Sequence, residues 1–297
     1  MEPDSIRVPA SDGLSLHALE WSREGVPLLF VHGFGNDAHV WDDVAPAVAP
    51  YYRTLALDLR GHGDSDRDPE ARYDYDFHVA DLEAVTARLG IERFVLVGHS
   101  LGGRIAMLFA GRHPERMAGL AIVDSAPELD PRGTVRIQLD LQRSAGGAEA
   151  SGGGGPSFAS EAEYRELLAR NYPAAGREQL HRLARHGLRA RADGRFEPKL
   201  DPAWFRGRKG AGETEMRDRE ARITSELWAA LARVPCPTLV VRGAASDVVS
   251  ADVADRMAEE VLAQGRLVVI PRAGHSVMVD NPEACRDALT AFVLGED

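Results

Sequence analysis

The chain has 297 residues, 44% hydrophobic and 27% charged, with a net charge of −11 at neutral pH. That is an ordinary globular composition, and its acidic balance argues against nucleic acid as a partner. No apolar run approaches the ~18 residues of a membrane span, "MEPDSIRVPASDG" lacks the apolar stretch of a secretory signal, and Cys236 and Cys285 offer neither a disulfide framework nor a CxxC metal pattern; the expectation is a soluble cytoplasmic protein with two buried free thiols.

The first third alternates strand-like and helix-like segments. "SIRVPA" and "LSLHALEW" read as a hairpin around Asp12-Gly13. "PLLFVHG" (Pro27–Gly33) and "TLALDL" (Thr54–Leu59) are continuous apolar runs, as strands buried on both faces require. From Tyr75 to Leu89 the apolar positions Leu82, Val85 and Leu89 share one helical face, and Gly90 stands where a C-cap belongs. "RFVLVG" (Arg93–Gly98) is another buried strand. A helix follows from Leu101 to His113, stopped by Pro114, and then the strand "GLAIVD" (Gly119–Asp124).

The alternation resumes after Pro237 with the strand "TLVVRG", a helix over Ser250–Val261, the strand "RLVVIP" (Arg266–Pro271) and a closing helix over Pro282–Leu294. Such repetition argues for an α/β fold, a mostly parallel sheet flanked by helices. Residues 126–235 differ. They hold 19 Lys+Arg against 16 Asp+Glu, whereas the remainder of the chain holds 16 against 30. The region begins with the low-complexity "SAGGAEASGGGGPS" and continues with helical patterns over Ser160–Arg170, Arg177–Arg191 and Glu215–Arg233. It reads as a mainly helical insertion after the sixth strand, with residues 1–125 and 236–297 forming the core. The glycine run 152–155 is expected to be the most mobile segment.

The stretch "LVGHSLGGRIA" crowds Gly98, Gly102 and Gly103 around Ser100, between a buried strand and a helix. This is G-x-S-x-G in strand–turn–helix context. Such a turn projects a serine hydroxyl above the sheet at a helix N-terminus, where developing negative charge is favoured. A serine hydroxyl is a poor nucleophile without a base. His275, in "IPRAGHSVMVDNPE", lies on a loop at the C-terminal edge of the sheet, where such sheets place their sites. Asp247, in "LVVRGAASDVVS", is the expected orienting acid. Asp124, at the end of "LAIVD", is the alternative, set second because a short side chain directly at a strand end has less freedom to reach. An oxyanion hole needs two donors. The amide of Leu101, next to the nucleophile, is one; the loop His32-Gly33-Phe34-Gly35 offers the other, at Phe34.

In order and spacing, "HGFG", "DLRGHGDSD", "GHSLGG", "LVVRGAASD" and "AGHSV" resemble the α/β-hydrolase superfamily, over nearly all the chain outside the insertion. The resemblance is to the esterase, lactonase and carbon–carbon bond hydrolase branch; Ser100 separates the chain from dehalogenases and epoxide hydrolases, which carry Asp at that turn. It implies that 126–235 is a cap, that Arg60, His62 and Asp64 are structural, and that His32 braces the oxyanion loop while His99 packs beneath the serine. The expected activity is cleavage of a small-molecule carboxylic ester or lactone through an acyl-enzyme, with no cofactor and no metal. Carbon–carbon bond hydrolysis and acyl transfer would use the same triad, and a small-molecule receptor would keep the fold without the chemistry.

Overall fold

The computed structural model describes residues 1–10, 12–137, 156–206 and 213–295. Its strands are β1 (Asp4–Pro9), β2 (Ser15–Glu20), β3 (Val26–Val31), β4 (Tyr52–Leu57), β5 (Phe94–His99), β6 (Met117–Val123), β7 (Leu188–Ala190), β8 (Phe196–Pro198), β9 (Thr238–Gly243) and β10 (Gly265–Ile270). Eight of them form one sheet in the order β1-β2-β4-β3-β5-β6-β9-β10. The hairpin β1–β2 is antiparallel and joins β4 antiparallel; every other pairing is parallel.

The continuous apolar runs have a simple cause. Successive strand side chains point to opposite faces, and here both faces are covered. Leu29, Val31, Leu55, Leu57, Leu96 and Ile122 pack on one side with the helices Tyr75–Arg88 and Leu101–Arg112. Leu28, Phe30, Ala56, Val97, Val123 and Val241 pack on the other with Trp41 and the closing helix Pro282–Leu294. Each buried Val, Leu, Ile or Phe among them contributes about 1.5–3 kcal/mol. Both cysteines are free and buried.

The order places β3 between β4 and β5, so the chain turns one way after β3 and the other way after β5. Loops leaving the C-terminal ends of these neighbours diverge and leave a crevice. The His32–Asp37 loop and the turn at Ser100 flank it.

Between β6 and β9, the described residues form a helix over 131–137, the helices Glu161–Asn171 and Arg177–Gly187, the β7–β8 hairpin, the short helix Ala203–Arg206 and the helix Glu213–Leu231. The expected helix through Arg191 stops at Gly187, because "RADGR" makes a hairpin turn with Gly194 at φ 79°. The helix Glu213–Leu231 packs on the core: a Cβ on Gly111 would lie 2.6 Å from the Ala230 Cα, and Leu227, Ala230 and Leu231 are fully buried. The expected helix Ser250–Val261 divides into an α-helix Ala251–Asp255 and a π-helical turn Arg256–Val261. The glycine run 152–155 lies outside the described residues.

Candidate active site

Ser100 sits at φ 51°, ψ −114°, between β5 and the helix Leu101–Arg112. A left-handed φ on a non-glycine residue costs about 1–3 kcal/mol and persists only where the surroundings enforce it. Here the glycines do so. A Cβ on Gly98 would come within 2.3 Å of the Gly102 oxygen, and one on Gly102 within 2.4 Å of the Val31 oxygen. Strand and helix therefore approach more closely than side chains allow. Ser100 N–H donates to the Val123 oxygen (3.1 Å), and its own carbonyl accepts from Ser125 Oγ (2.7 Å).

His275 lies just before the short helix Val277–Asp280. Its Nε2 is 2.9 Å from Ser100 Oγ, and its Nδ1 is 2.8 Å from Asp124 Oδ2. A carboxylate only accepts, so Nδ1 carries the proton and Nε2 is left to accept from the serine. His99 Nε2 donates to the His275 carbonyl at 2.9 Å. Burial, and next the neighbouring His275, push the His99 pKa well below the usual imidazole range.

The expected acid, Asp247, is not the one against His275. Its two carboxylate oxygens accept from Arg136 Nε (2.5 Å) and Nη2 (2.9 Å), and these hydrogen bonds hold its pKa below the usual carboxylate value. Asp124 stands in its place, fully buried at the end of β6. A short side chain directly at a strand end has less freedom to reach, but Asp124 has φ 43°, which turns the backbone at that residue, and its Oδ2 meets His275. The loop after β9 contributes donors instead of the acid. Gly243 N–H donates to Asp124 Oδ1 (2.9 Å) and Ser246 Oγ donates to Oδ2 (2.6 Å). The Ser246 hydroxyl in turn accepts from Val248 N and Val249 N. Sequence reasoning missed Ser246, which lies inside "LVVRGAASD" next to the expected acid, and Arg136, which lies in no motif.

The loop after β3 runs against the serine: a Cβ on Gly33 would be 3.0 Å from Ser100 Cβ. His32 Nδ1 donates to the Gly33 oxygen (2.7 Å) while Nε2 accepts from Leu59 N (3.0 Å), so the ring is neutral and ties this loop to the one after β4. Phe34 meets His62 and Trp204 edge-on, at 5.6 and 5.1 Å between centroids. Asp37 caps the next turn through His39 N–H (3.0 Å); burial, then the charge of Asp58, raise its pKa to about 7.

Phe34, Ser100, His275, Asp37, Arg136 and Asp247 line a cavity of about 650 Å³. Further walls come from residues between β6 and β9, including Phe158, Tyr164, Leu168 and Tyr172. Among the described residues, two groups of potential metal ligands lie together, His39 with Asp42 and His186, and His17 with Asp58 and Asp64. In each, an imidazole already bonds a carboxylate, at 3.0 Å for His39–Asp42 and 2.7 Å for His17–Asp58.

A family model for the alpha/beta hydrolase fold matches residues 26–282. The chain belongs to that family. Among curated relatives of this α/β hydrolase, a non-heme chloroperoxidase of Streptomyces lividans is 29% identical over 294 residues, covering 96% of this chain and 98% of its own. A 2-(acetamidomethylene)succinate hydrolase of Mesorhizobium japonicum is 28% identical over 269 residues, covering 91% and 88%. The crystal structure of an E-2-(acetamidomethylene)succinate hydrolase superposes with a TM-score of 0.80 at 25% identity, covering 98% of this chain and 99% of that one. No helix among the described residues is long and apolar enough to cross a membrane.

Proposed function

We propose that this α/β hydrolase is a serine hydrolase that cleaves a carboxylic ester or lactone through an acyl-enzyme, with Asp124 as the acid of its triad. The observation that carries the reading is the unbroken relay Ser100–His275–Asp124, at 2.9 and 2.8 Å, opening on the cavity. His275 Nε2 takes the hydroxyl proton as Ser100 Oγ attacks the carbonyl carbon. Asp124 keeps the proton on Nδ1 and stabilises the imidazolium that forms. The amides of Leu101 and Phe34 donate to the oxyanion. His275 then returns the proton to the departing alkoxide. Water, deprotonated by the same nitrogen, attacks the acyl carbon and frees Ser100.

The described residues between β6 and β9 act as a cap, since side chains such as Phe158, Tyr164, Leu168 and Tyr172 complete the cavity and so set which acyl and alcohol groups fit. The test is a fluorophosphonate, which reacts with an activated serine. Label at Ser100 and turnover of a short-chain 4-nitrophenyl ester, both lost in Ser100→Ala, support the reading. Label at Ser65, Ser125 or Ser276, with turnover surviving in Ser100→Ala, overturns it.

A further inference from the structure

The charges on the cavity wall are unevenly matched. Of its cations, Arg136 is paired with Asp247, and Lys199 Nζ with Asp64 Oδ2 at 2.6 Å. Arg67 and Arg170, which also line the cavity, have no ion-pair partner among the described residues. Arg67 comes from the loop after β4 and is half-buried. Its Nη2 reaches only the carbonyls of Lys199 and Leu200, at 3.3 and 3.4 Å, and its Nε is buried without any hydrogen-bond partner. A buried donor left unpaired costs about 1–3 kcal/mol, so this guanidinium is incompletely satisfied by the protein around it. The acids that act on it at longer range are committed elsewhere. Glu197 Oε1 bonds Arg189 Nε at 2.7 Å, and Asp201 bonds Tyr73 and accepts from Ala203 N.

On the acidic side, Asp37 and Asp280 line the cavity without a cation partner among the described residues. Burial raises both, Asp37 to about 7. Glu197, also on the wall, is bonded to Arg189 and Arg191, and a guanidinium does not give up its proton.

We propose that Arg67 anchors an anionic group of the substrate, so that the ester or lactone cleaved here also carries a carboxylate. This rests on the serine-hydrolase reading for the bond that is cleaved, though not for the anion site itself. A planar guanidinium edge suits a carboxylate, to which it makes charge-assisted bonds. Arg170, exposed at the cavity wall, adds to the attraction.

The test compares 4-nitrophenyl hydrogen glutarate with its neutral methyl ester. Wild type is expected to prefer the anion in kcat/KM. Arg67→Gln is expected to reduce that preference about ten- to a hundredfold, mainly through KM, as loss of a charge-assisted bond does; Arg67→Lys restores part of it. An equal loss on both esters, with the melting temperature retained, overturns the proposal and makes Arg67 a strap to Lys199 and Leu200. Should Arg67→Gln fold poorly, calorimetry on wild type decides: glutarate binding no tighter than glutaramide overturns the proposal, and tighter binding abolished by 0.5 M salt supports it. That measurement needs no turnover. If Ser100 is not the nucleophile, the anion site still stands or falls by it.

Discussion

Two neighbouring strands, β6 and β9, lead at their C-terminal ends to aspartates close to the same cavity, and the two carboxylates have opposite surroundings. Asp124 is fully buried and meets Gly243 N, Ser246 Oγ and His275 Nδ1. Asp247 is 31% exposed in its side chain and is gripped by Arg136. The buried acid orients an imidazole because its donors are neutral and leave Oδ2 open to one more. The half-exposed acid has its charge already answered by a guanidinium. What distinguishes an orienting carboxylate is therefore the donors around it, more than its place in chain order.

The comparison can be tested by removing each part in turn. Ser100→Ala sets the floor and should lower turnover by about 10⁶-fold, as loss of a triad serine does elsewhere. Asp124→Asn should follow at about 10⁴-fold, since a neutral amide neither fixes the tautomer nor stabilises the imidazolium. Thermal melting separates that loss from unfolding. Ser246→Ala removes one neutral donor from Asp124 and should cost about tenfold in kcat. Asp247→Asn should change turnover by no more than about fivefold, the scale of a half-exposed ion pair. If Asp247→Asn were the crippled variant and Asp124→Asn nearly normal, the assignment of the acid would be reversed.

The sheet was legible because parallel strands buried on both faces write themselves as apolar runs, and because Gly98, Gly102 and Gly103 have no reason to cluster except close approach. Ser100 and His275 come together at 2.9 Å for the same reason, each sitting at a strand end that the topology places at one edge. Chain order could not choose between Asp124 and Asp247. The choice depends on the φ of 43° at Asp124 and on Ser246, and nothing in "LAIVD" announces either. The hairpin at Gly194 was readable from "ADGR", but the strongly helical residues before it masked the signal. The settings of Arg136 and Arg67 were unreadable, because the groups they bond lie 111 and 132 residues away.

The smallest expected effect extends the comparison to a third carboxylate. Asp37 is buried like Asp124, but it accepts from one amide, His39 N, and sits near the charged Asp58. With burial as the first cause and Asp58 as the next, its pKa rises from 3.8 to about 7. The folded state therefore holds a proton that the unfolded chain gives up near pH 4. The sign follows: Asp37 favours folding fully below pH 4, and this contribution is lost as pH rises through 7. Asn is also a good capping residue at this position, since its side-chain oxygen accepts from the same amide. Asp37→Asn should then match wild type in melting temperature at or below pH 4 and exceed it progressively as pH rises from 4 to 8, on the scale of about 2–4 °C per kcal/mol for a chain of this size. Equal melting temperatures across that range would show that Asp37 ionises normally, and that burial with a single donor does not set it apart from Asp247.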